Sequence, residues 1–461
     1  MKHMTLEHIA EACHGVYTGE REKMQIVIKG AVTDSRQVEE GYLFIPIQGA
    51  RADGHEFIPD VVKKGAAAVL SERKLSNCPV PWIQVESSEQ ALKNIAEYYR
   101  SQLSIPIVGI TGSVGKTSTK EMIAAVLSQK YQVLKTAGNY NNEIGLPLTL
   151  LRIRREHQAA VVEMGISDFG EMHRLAKMAR PDICVITNIG ICHLENLKTR
   201  DGILQAKSEI FDYMEPDGHI ILNGEDDKLS MIREVKGIHP VFYGAGREIY
   251  ADHIENCGLK GVKASIHTPK GTISVEIPIP GEHNVSNAMA AVAVGLALGM
   301  ELPDIQAGIE QAKTIRGRSN LIETGRIMVL DDCYNANPVS VRASLDVLSS
   351  GQGRTIAVLG DMGELGENEK QLHYEVGVYA AQRRITALFC AGNLSVQMAQ
   401  GAKDTGNMQV FYYKDRDEMT EHLLEYLREN DTVLVKASHF MEYPRVVEAI
   451  KEKFASVSGG E

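Results

Sequence analysis

No apolar run in the sequence is long enough to cross a bilayer: the longest, residues 288–300, falls short of the roughly 20 residues a membrane helix needs and reads as a buried helix. The start lacks the basic segment, long apolar run and small-residue cleavage site of a secretory signal, so the protein is expected to be soluble, without membrane insertion, and cytoplasmic. The seven cysteines (Cys13, Cys78, Cys184, Cys192, Cys257, Cys333, Cys390) are odd in number, scattered and without CxxC spacing. They exclude a disulfide framework, imply no structural zinc and point to reduced thiols. Positive charge is also short. With 49 Lys and Arg against 60 Asp and Glu the formal net charge is −11, whereas a nucleic-acid surface needs clustered cations to replace phosphate counterions. Nucleic acid is therefore not an expected partner, and any phosphate-bearing ligand must be gripped locally.

What is present is an ordinary globular composition, 44% hydrophobic and 24% charged, spread over 461 residues. Single cores stop growing near about 250–300 residues, so two or three domains are expected. The first hundred residues alternate short β-rich runs (43–47, 66–70, 81–85) with helical stretches such as 88–100, and Ser104-Ile105-Pro106 interrupts the pattern. From residue 105 the order is strand, Gly-rich loop, then a helix at 116–129, with further apolar runs at 159–164, 183–189 and 219–222. Buried parallel strands alternating with helices predict a doubly wound sheet whose ligands sit at the carboxyl ends of the strands. Residues 249–280 alternate polar and apolar and read as an antiparallel insertion. A second open sheet follows, with strands at 327–330, 355–359, 387–391, 410–413 and 432–435. The expected fold class is α/β with three domains, 1–103, 104–318 and 319–461: a small α/β unit, a central doubly wound P-loop-like unit and a Rossmann-like unit. The tail, residues 456–461, is expected to fray.

Between the strand at 105–110 and the following helix stands Thr111-Gly112-Ser113-Val114-Gly115-Lys116-Thr117-Ser118. Gly112 and Gly115 let backbone N–H groups turn toward an anion, and the helix terminus adds its positive dipole end. Lys116 can neutralise terminal phosphates, and Thr117 can ligate Mg²⁺. The spacing departs from GxxxxGK[ST], because Ile110 stands five residues before Gly115 and Gly109 one further back. No GxGxxG follows a strand in the setting a nicotinamide oxidoreductase requires.

Other candidates cluster at strand ends. Glu163 closes the apolar run 159–162, where a carboxylate faces the ligand crevice and suits Mg²⁺; a capping or surface glutamate fits the same spacing. His193 follows the next strand and is open to a functional or a structural reading, and Lys207, by itself, reads as a solvated helix residue. Asn284 and Asn287 introduce the apolar helix, where an amide serves either a purine edge or a helix cap. Arg318 suits a phosphate and Asp332, in Asp332-Cys333-Tyr334-Asn335-Ala336-Asn337-Pro338, suits a ribose hydroxyl, against a generic turn.

The shortened TGxxGKT loop resembles that of the Mur ligase and folylpolyglutamate synthetase superfamily, and matching motifs run from about residue 30 to about residue 440. The resemblance implies that residues 112–118 bind ATP, that Thr117, Glu163, His193 and Lys207 hold Mg²⁺, and that Lys207, in a segment like AKxEIF, is carbamylated. It further implies adenine contacts from Asn284 and Asn287, the latter foremost, with Arg318 and Asp332 reaching the nucleotide from the last domain. Thr33-Asp34-Ser35-Arg36, with Gly49 and Asp53-Gly54-His55, looks like the uridine-nucleotide-binding domain of Mur ligases, which assigns Ser35 and Arg36 to substrate. Residues 137–147, and 360–366 with His373, are similar to Mur ligases that add D-alanyl-D-alanine, which assigns Asn139, Asn142, Asp361 and His373 to substrate. One position departs: the family's KGSR is here Lys436-Ala437-Ser438-His439. The implied activity is ATP-dependent ligation of D-alanyl-D-alanine to a UDP-muramoyl tripeptide through an acyl phosphate, in peptidoglycan precursor synthesis, by a monomer. A Mur ligase adding a single amino acid and a non-ligating nucleotide-gated ATPase are the rival readings.

Overall fold

Ligands of an open α/β sheet collect where the strand order reverses, so the strand orders come first. The computed structural model describes residues 1, 3–49, 52–406 and 408–455; the tail at 456–461 lies outside them. The first sheet holds β1 (Val16–Thr18), β2 (Gly30–Val32), β3 (Tyr42–Phe44), β4 (Ala68–Ser71) and β5 (Trp82–Gln84) in the order β1-β5-β4-β3-β2. All its pairings are parallel except that of β1.

The central sheet holds β6 (Ile107–Thr111), β7 (Val133–Lys135), β8 (Ala159–Glu163), β9 (Ile183–Ile186), β10 (His219–Asn223) and β11 (Val241–Tyr243). It is wholly parallel in the order β11-β10-β9-β6-β8-β7. Helices cover both faces, which is why β6, β8 and β9 are buried at every residue and read as unbroken apolar runs. The order reverses at β6, which lies between β8 and β9, so a crevice opens at its carboxyl end. The run at 183–189 ends as strand at Ile186, because Thr187 and Asn188 turn toward the loop after β6.

The insertion forms an antiparallel sheet of β12 (Tyr250–Asn256), β13 (Val262–Thr268) and β14 (Gly271–Ile277). Alternation in β14 turns Ile273, Val275 and Ile277 inward to the core shared with the helix His283–Ala297. The last sheet holds β15 (Asn320–Glu323), β16 (Met328–Asp331), β17 (Thr355–Gly360), β18 (Ala387–Ala391), β19 (Gln409–Tyr413) and β20 (Thr432–Lys436). Its order is β15-β16-β20-β17-β18-β19, parallel apart from β15.

The apolar clusters join the first two bodies in one core, while the third body keeps its own cores and meets the insertion through Leu259. Leu92, Ile95 and Tyr99 of the helix Ser88–Ser101 pack in one continuous core with Leu43 and Ile83 on one side and Leu146, Leu150 and Ile186 on the other. Tyr99 also donates to the Ile153 carbonyl at 2.7 Å, and Arg100 donates to the carbonyls of Ala179 and Arg180. The last sheet builds two cores of its own, one on each face.

Candidate active site

The loop after β6 is shaped by two glycines and clamped from β9. Gly112 has φ +150°, and a Cβ there would lie 2.0 Å from Thr187 Oγ1, so no other residue fits. Gly115, at φ +84°, starts the helix Lys116–Leu127. Ser113 N donates to Asn188 O (3.0 Å), Val114 N to Asn188 Oδ1 (2.9 Å) and Thr187 Oγ1 to Val114 O (2.6 Å). The first helical bond runs from Thr119 N to Gly115 O, so the N–H groups of Lys116, Thr117 and Ser118 have no partner within the helix. Lys116 Nζ curls over the loop and donates to Gly112 O at 2.8 Å. Rigid backbone, a positive helix end and an ammonium group together make an anion cradle.

The cradle opens into a cavity of about 310 Å³ between the central and last sheets, lined by residues 113–118 and by Asn287, Arg318, Asp332 and Lys436. Asn287 Oδ1 accepts from Thr119 Oγ1 (2.9 Å), and its Nδ2 donates to Asn284 Oδ1 (2.9 Å). Asn284, buried behind it, donates to Pro280 O (2.9 Å) and so fixes the Asn287 amide instead of lining the cavity. His283 also lines the cavity, and burial holds its pKa below the ordinary histidine value.

Across the cavity the linker is pinned to the last sheet. Gly317 N donates to Asp331 Oδ2 (2.9 Å), Ser319 N to Asp332 Oδ1 (3.1 Å), and the Arg318 guanidinium lies 4.2 Å from the centre of the Tyr334 ring. Asp332 Oδ2 accepts from Lys436 Nζ and from Ser344 Oγ, each at 2.6 Å. Burial pushes this carboxyl up, but the Lys436 ammonium, the Ser344 hydroxyl and the Arg318 charge together outweigh burial and hold it below the ordinary carboxylate range. His439 is exposed, its ring 5.6 Å from that of Tyr334.

Glu163, His193 and Lys207 are not among the residues lining the cavity. Glu163 is 2% exposed at the end of β8; its Oε1 accepts from Asn141 Nδ2 (2.8 Å), and its buried Oε2 has no hydrogen-bond partner. His193 adopts a left-handed backbone (φ +51°), and its Nδ1 lies 2.6 Å from Glu364 Oε2 of the last domain. Lys207, on the helix Arg200–Ser208, is buried, and among the described residues its ammonium has no hydrogen bond or ion pair. Burial, reinforced by the nearby charge of Lys116, lowers its pKa to about 8.

That lowering has a stability consequence of definite sign. Below the folded pKa both states hold the proton, and the folded protein bears an unpaired buried charge. Between about 8 and the ordinary lysine value the unfolded chain keeps a proton that the folded chain lacks, so stability rises with pH. In carbonate-free buffer, Lys207→Met is expected to stabilise the fold by roughly 3 kcal/mol at neutral pH and to lose that advantage above the ordinary lysine range. Urea melts at several pH values check it, and a pH-independent effect counts against the assignment.

The residues assigned to substrate lie in three places. Arg36 is exposed and paired with Asp34, and the Ser35 carbonyl accepts from Lys64 Nζ at 2.8 Å, both beside the first sheet. Asn142 Oδ1 accepts from Gly145 N (2.8 Å) and so starts the helix Gly145–Leu150, whereas the asparagine facing Glu163 is Asn141. The Asn139 side chain lies beside that of Tyr334 across the domain junction. Asp361 Oδ1 accepts from Ser395 N (2.7 Å) and Oγ (2.6 Å), holding the start of the helix Ser395–Thr405. His373 is fully buried, accepts from Met362 N (2.9 Å) at Nε2 and contacts Glu369 O (2.6 Å) through Nδ1; burial lowers its pKa. Asp361 and His373 thus brace the loop at 361–366 from inside.

Sequence motifs contained, but did not single out, several of the positioning groups. Thr187, Asn188, Lys436 and Asn141 each stood inside a recognised segment, and their roles depend on neighbours distant in the chain.

An anion cradle on a parallel sheet, facing an arginine and an ion pair from a second α/β body, is the arrangement of an ATP-dependent ligase, and the chain belongs to the Mur ligase family. The model of the Mur ligase middle domain matches residues 110–295, that of the Mur ligase glutamate ligase domain residues 317–439, and that of the Mur ligase family catalytic domain residues 27–100. Among curated relatives, the UDP-N-acetylmuramoyl-tripeptide--D-alanyl-D-alanine ligase of Bacillus subtilis is 37% identical over 97% of this chain and 98% of its own length. Among solved structures, MurF from Acinetobacter baumannii aligns with a TM-score of 0.88 at 35% identity, covering 97% of this chain and 98% of that one. MurF from Thermotoga maritima in complex with ADP aligns with a TM-score of 0.80 at 29% identity, covering 92% and 97%.

Proposed function

We propose that this chain joins D-alanyl-D-alanine to UDP-N-acetylmuramoyl-tripeptide at the expense of ATP, forming the pentapeptide precursor of peptidoglycan in the cytoplasm, as a monomer. The observation that carries the reading is the cradle of residues 112–118 facing Arg318, Asp332 and Lys436 across one cavity. The full-length likeness to D-alanyl-D-alanine ligases supports the choice of acceptor. Domain limits at 1–103, 104–318 and 319–461 are part of the proposal; the linker bonds of Gly317 and Ser319 tie that junction to the last sheet.

In the proposed reaction a substrate carboxylate oxygen attacks the γ-phosphorus of ATP and ADP leaves, giving an acyl phosphate. The free amine of the dipeptide then attacks the acyl carbon, phosphate leaves, and the nitrogen loses a proton. A carboxylate is a poor electrophile at neutral pH, so activation is the hard step. The protein's share is positioning and charge stabilisation: the loop N–H groups and Lys116 hold the terminal phosphates, Arg318 approaches from the other side, and Asn287 faces the base. Asp332 takes a ribose hydroxyl. Ser35 and Arg36 receive the uridine end, with Asn139, Asn142, Asp361 and His373 around the acceptor.

The residues fit Mg²⁺. Among the described residues no group of three or more His, Cys, Asp and Glu makes a self-sufficient metal site, but Glu163 keeps one buried carboxylate oxygen without a hydrogen bond. One carboxylate completed by nucleotide phosphates is a donor set this ion accepts. Thr117, Glu163, His193 and a carbamylated Lys207 would hold it, and the lowered pKa of Lys207 supplies the neutral amine that carbon dioxide addition needs. Bound there, the ion would offset charge on the transferring phosphoryl group.

Phosphate release scanned over UDP-peptides and amines tests the reading. Turnover is expected only with a UDP-muramoyl tripeptide and D-alanyl-D-alanine together; release indifferent to the amine, or greater with a single amino acid, refutes it.

A further inference from the structure

Lys120 is 1% exposed, one of the largest fully buried side chains of the protein, and neither the loop nor the nucleotide cavity uses it. It follows Lys116 by four residues on the helix Lys116–Leu127, so both ammonium groups leave one helix face, Lys120 a turn deeper. Its Nζ donates to Thr136 O at 2.8 Å and lies 3.2 Å from Glu121 Oε1 and 3.8 Å from Glu163 Oε2. Thr136 in turn accepts from Glu163 N through Oγ1 at 3.0 Å. Glu163 is therefore held by its backbone through Thr136, by Oε1 through Asn141, and by charge through Lys120, while Oε2 keeps no hydrogen bond. A buried ammonium is unfavourable unless paired, and a plain core position would take an apolar side chain of the same length.

We propose that Lys120 is a positioning residue for ligation: it fixes the Glu163 carboxylate so that Oε2 is presented to the divalent cation of the nucleotide complex. The inference rests on the reading of Glu163 as a metal ligand given above. At 3.8 Å the ammonium is too far for a strong hydrogen bond and near enough to steer the carboxylate, so it orients Oε2 without occupying it. Lys116 and Lys120 then divide one helix face between the phosphates and the ligand of their counter-ion.

The test uses the full-length chain, Mn²⁺ as probe and a non-hydrolysable ATP analogue, with binding read by electron paramagnetic resonance and so independent of turnover. Lys120→Met is expected to weaken Mn²⁺ binding and to lower kcat by about 10- to 100-fold each, the range for groups that orient a metal ligand. KM for the UDP-tripeptide should stay within about twofold, since its uridine end is assigned to Ser35 and Arg36 of the first domain and not to Glu163 or Lys120. In a Glu163→Gln background, where no carboxylate remains to orient, the same change should cost less than about threefold. If Lys120→Met does not fold, Lys120→Gln, which can keep the bond to the Thr136 carbonyl, carries the measurement. A folded variant with parental Mn²⁺ affinity, an equal loss in both backgrounds, or a parent that binds no Mn²⁺ with the analogue overturns the proposal. A parent that binds the metal–nucleotide pair yet fails to ligate the dipeptide sinks the functional reading alone.

Discussion

Lys116→Ala is expected to lower kcat for ligation by at least about a thousandfold while leaving UDP-substrate affinity within about twofold. The loop does not depend on this side chain for its shape: Thr187 and Asn188 clamp it through Val114 and Ser113, and the N–H groups ahead of Thr119 stay in place. Truncation therefore removes a charge and leaves its scaffold. On the proposed reading that charge acts where negative charge is transferred, which is where a single cation has its largest effect on rate. Calorimetry with the UDP-tripeptide and a coupled phosphate assay read the two quantities separately. An active Lys116→Ala enzyme removes the basis for assigning the loop to nucleotide.

Asp332→Ala is expected to destabilise the last domain by about 3–5 kcal/mol, because it strands the Lys436 ammonium inside the fold. Lys436 is 2% exposed, and the substitution takes its one carboxylate partner at 2.6 Å and leaves the Asp332 and Asn335 carbonyls as its remaining partners. The Ser319 amide and the Ser344 hydroxyl lose a partner as well. Because the Asp332 carboxyl is held below the ordinary range, its contribution is present at neutral pH and disappears as pH falls through its folded value. Urea denaturation followed in the last domain measures the loss, and Asp332→Asn with Lys436→Met should recover most of it. A single-variant loss below about 1 kcal/mol would show that the pair is not what holds this corner.

Legibility in the sequence followed burial. The strands β6, β8, β9, β17 and β18 are apolar at nearly every residue because helices cover both faces, and each was read to within a residue or two, except the end of β9. The strands β1, β2, β7, β11 and β15 went unread: each has three or four residues and lies at or near a sheet edge, so none leaves a period to detect. The loop residues were legible because glycine at 112 and 115 and lysine at 116 sit at fixed offsets from a strand. Asn141 was not, since its partner Glu163 is 22 residues away, and the neighbouring Asn142 is of the same residue type but only starts a helix. Lys207 was read alone as solvated, yet it is buried; spacing on a helix does not say which neighbours close over a face. Asn284 and Asn287 were named together, and tertiary packing separated them, one facing the cavity and one behind it.

The continuous core that runs from the first sheet through the helix Ser88–Ser101 into the central one makes those two bodies a single rigid gauge. If Ser35 and Arg36 grip the uridine end and residues 112–118 the phosphates, as proposed, the span between them is a length built into the fold. On the proposed reading, a UDP-linked stem one amino acid shorter or longer is expected to bring its terminal carboxylate short of the loop or past it, so that stem length is selected by reach before any side chain is inspected.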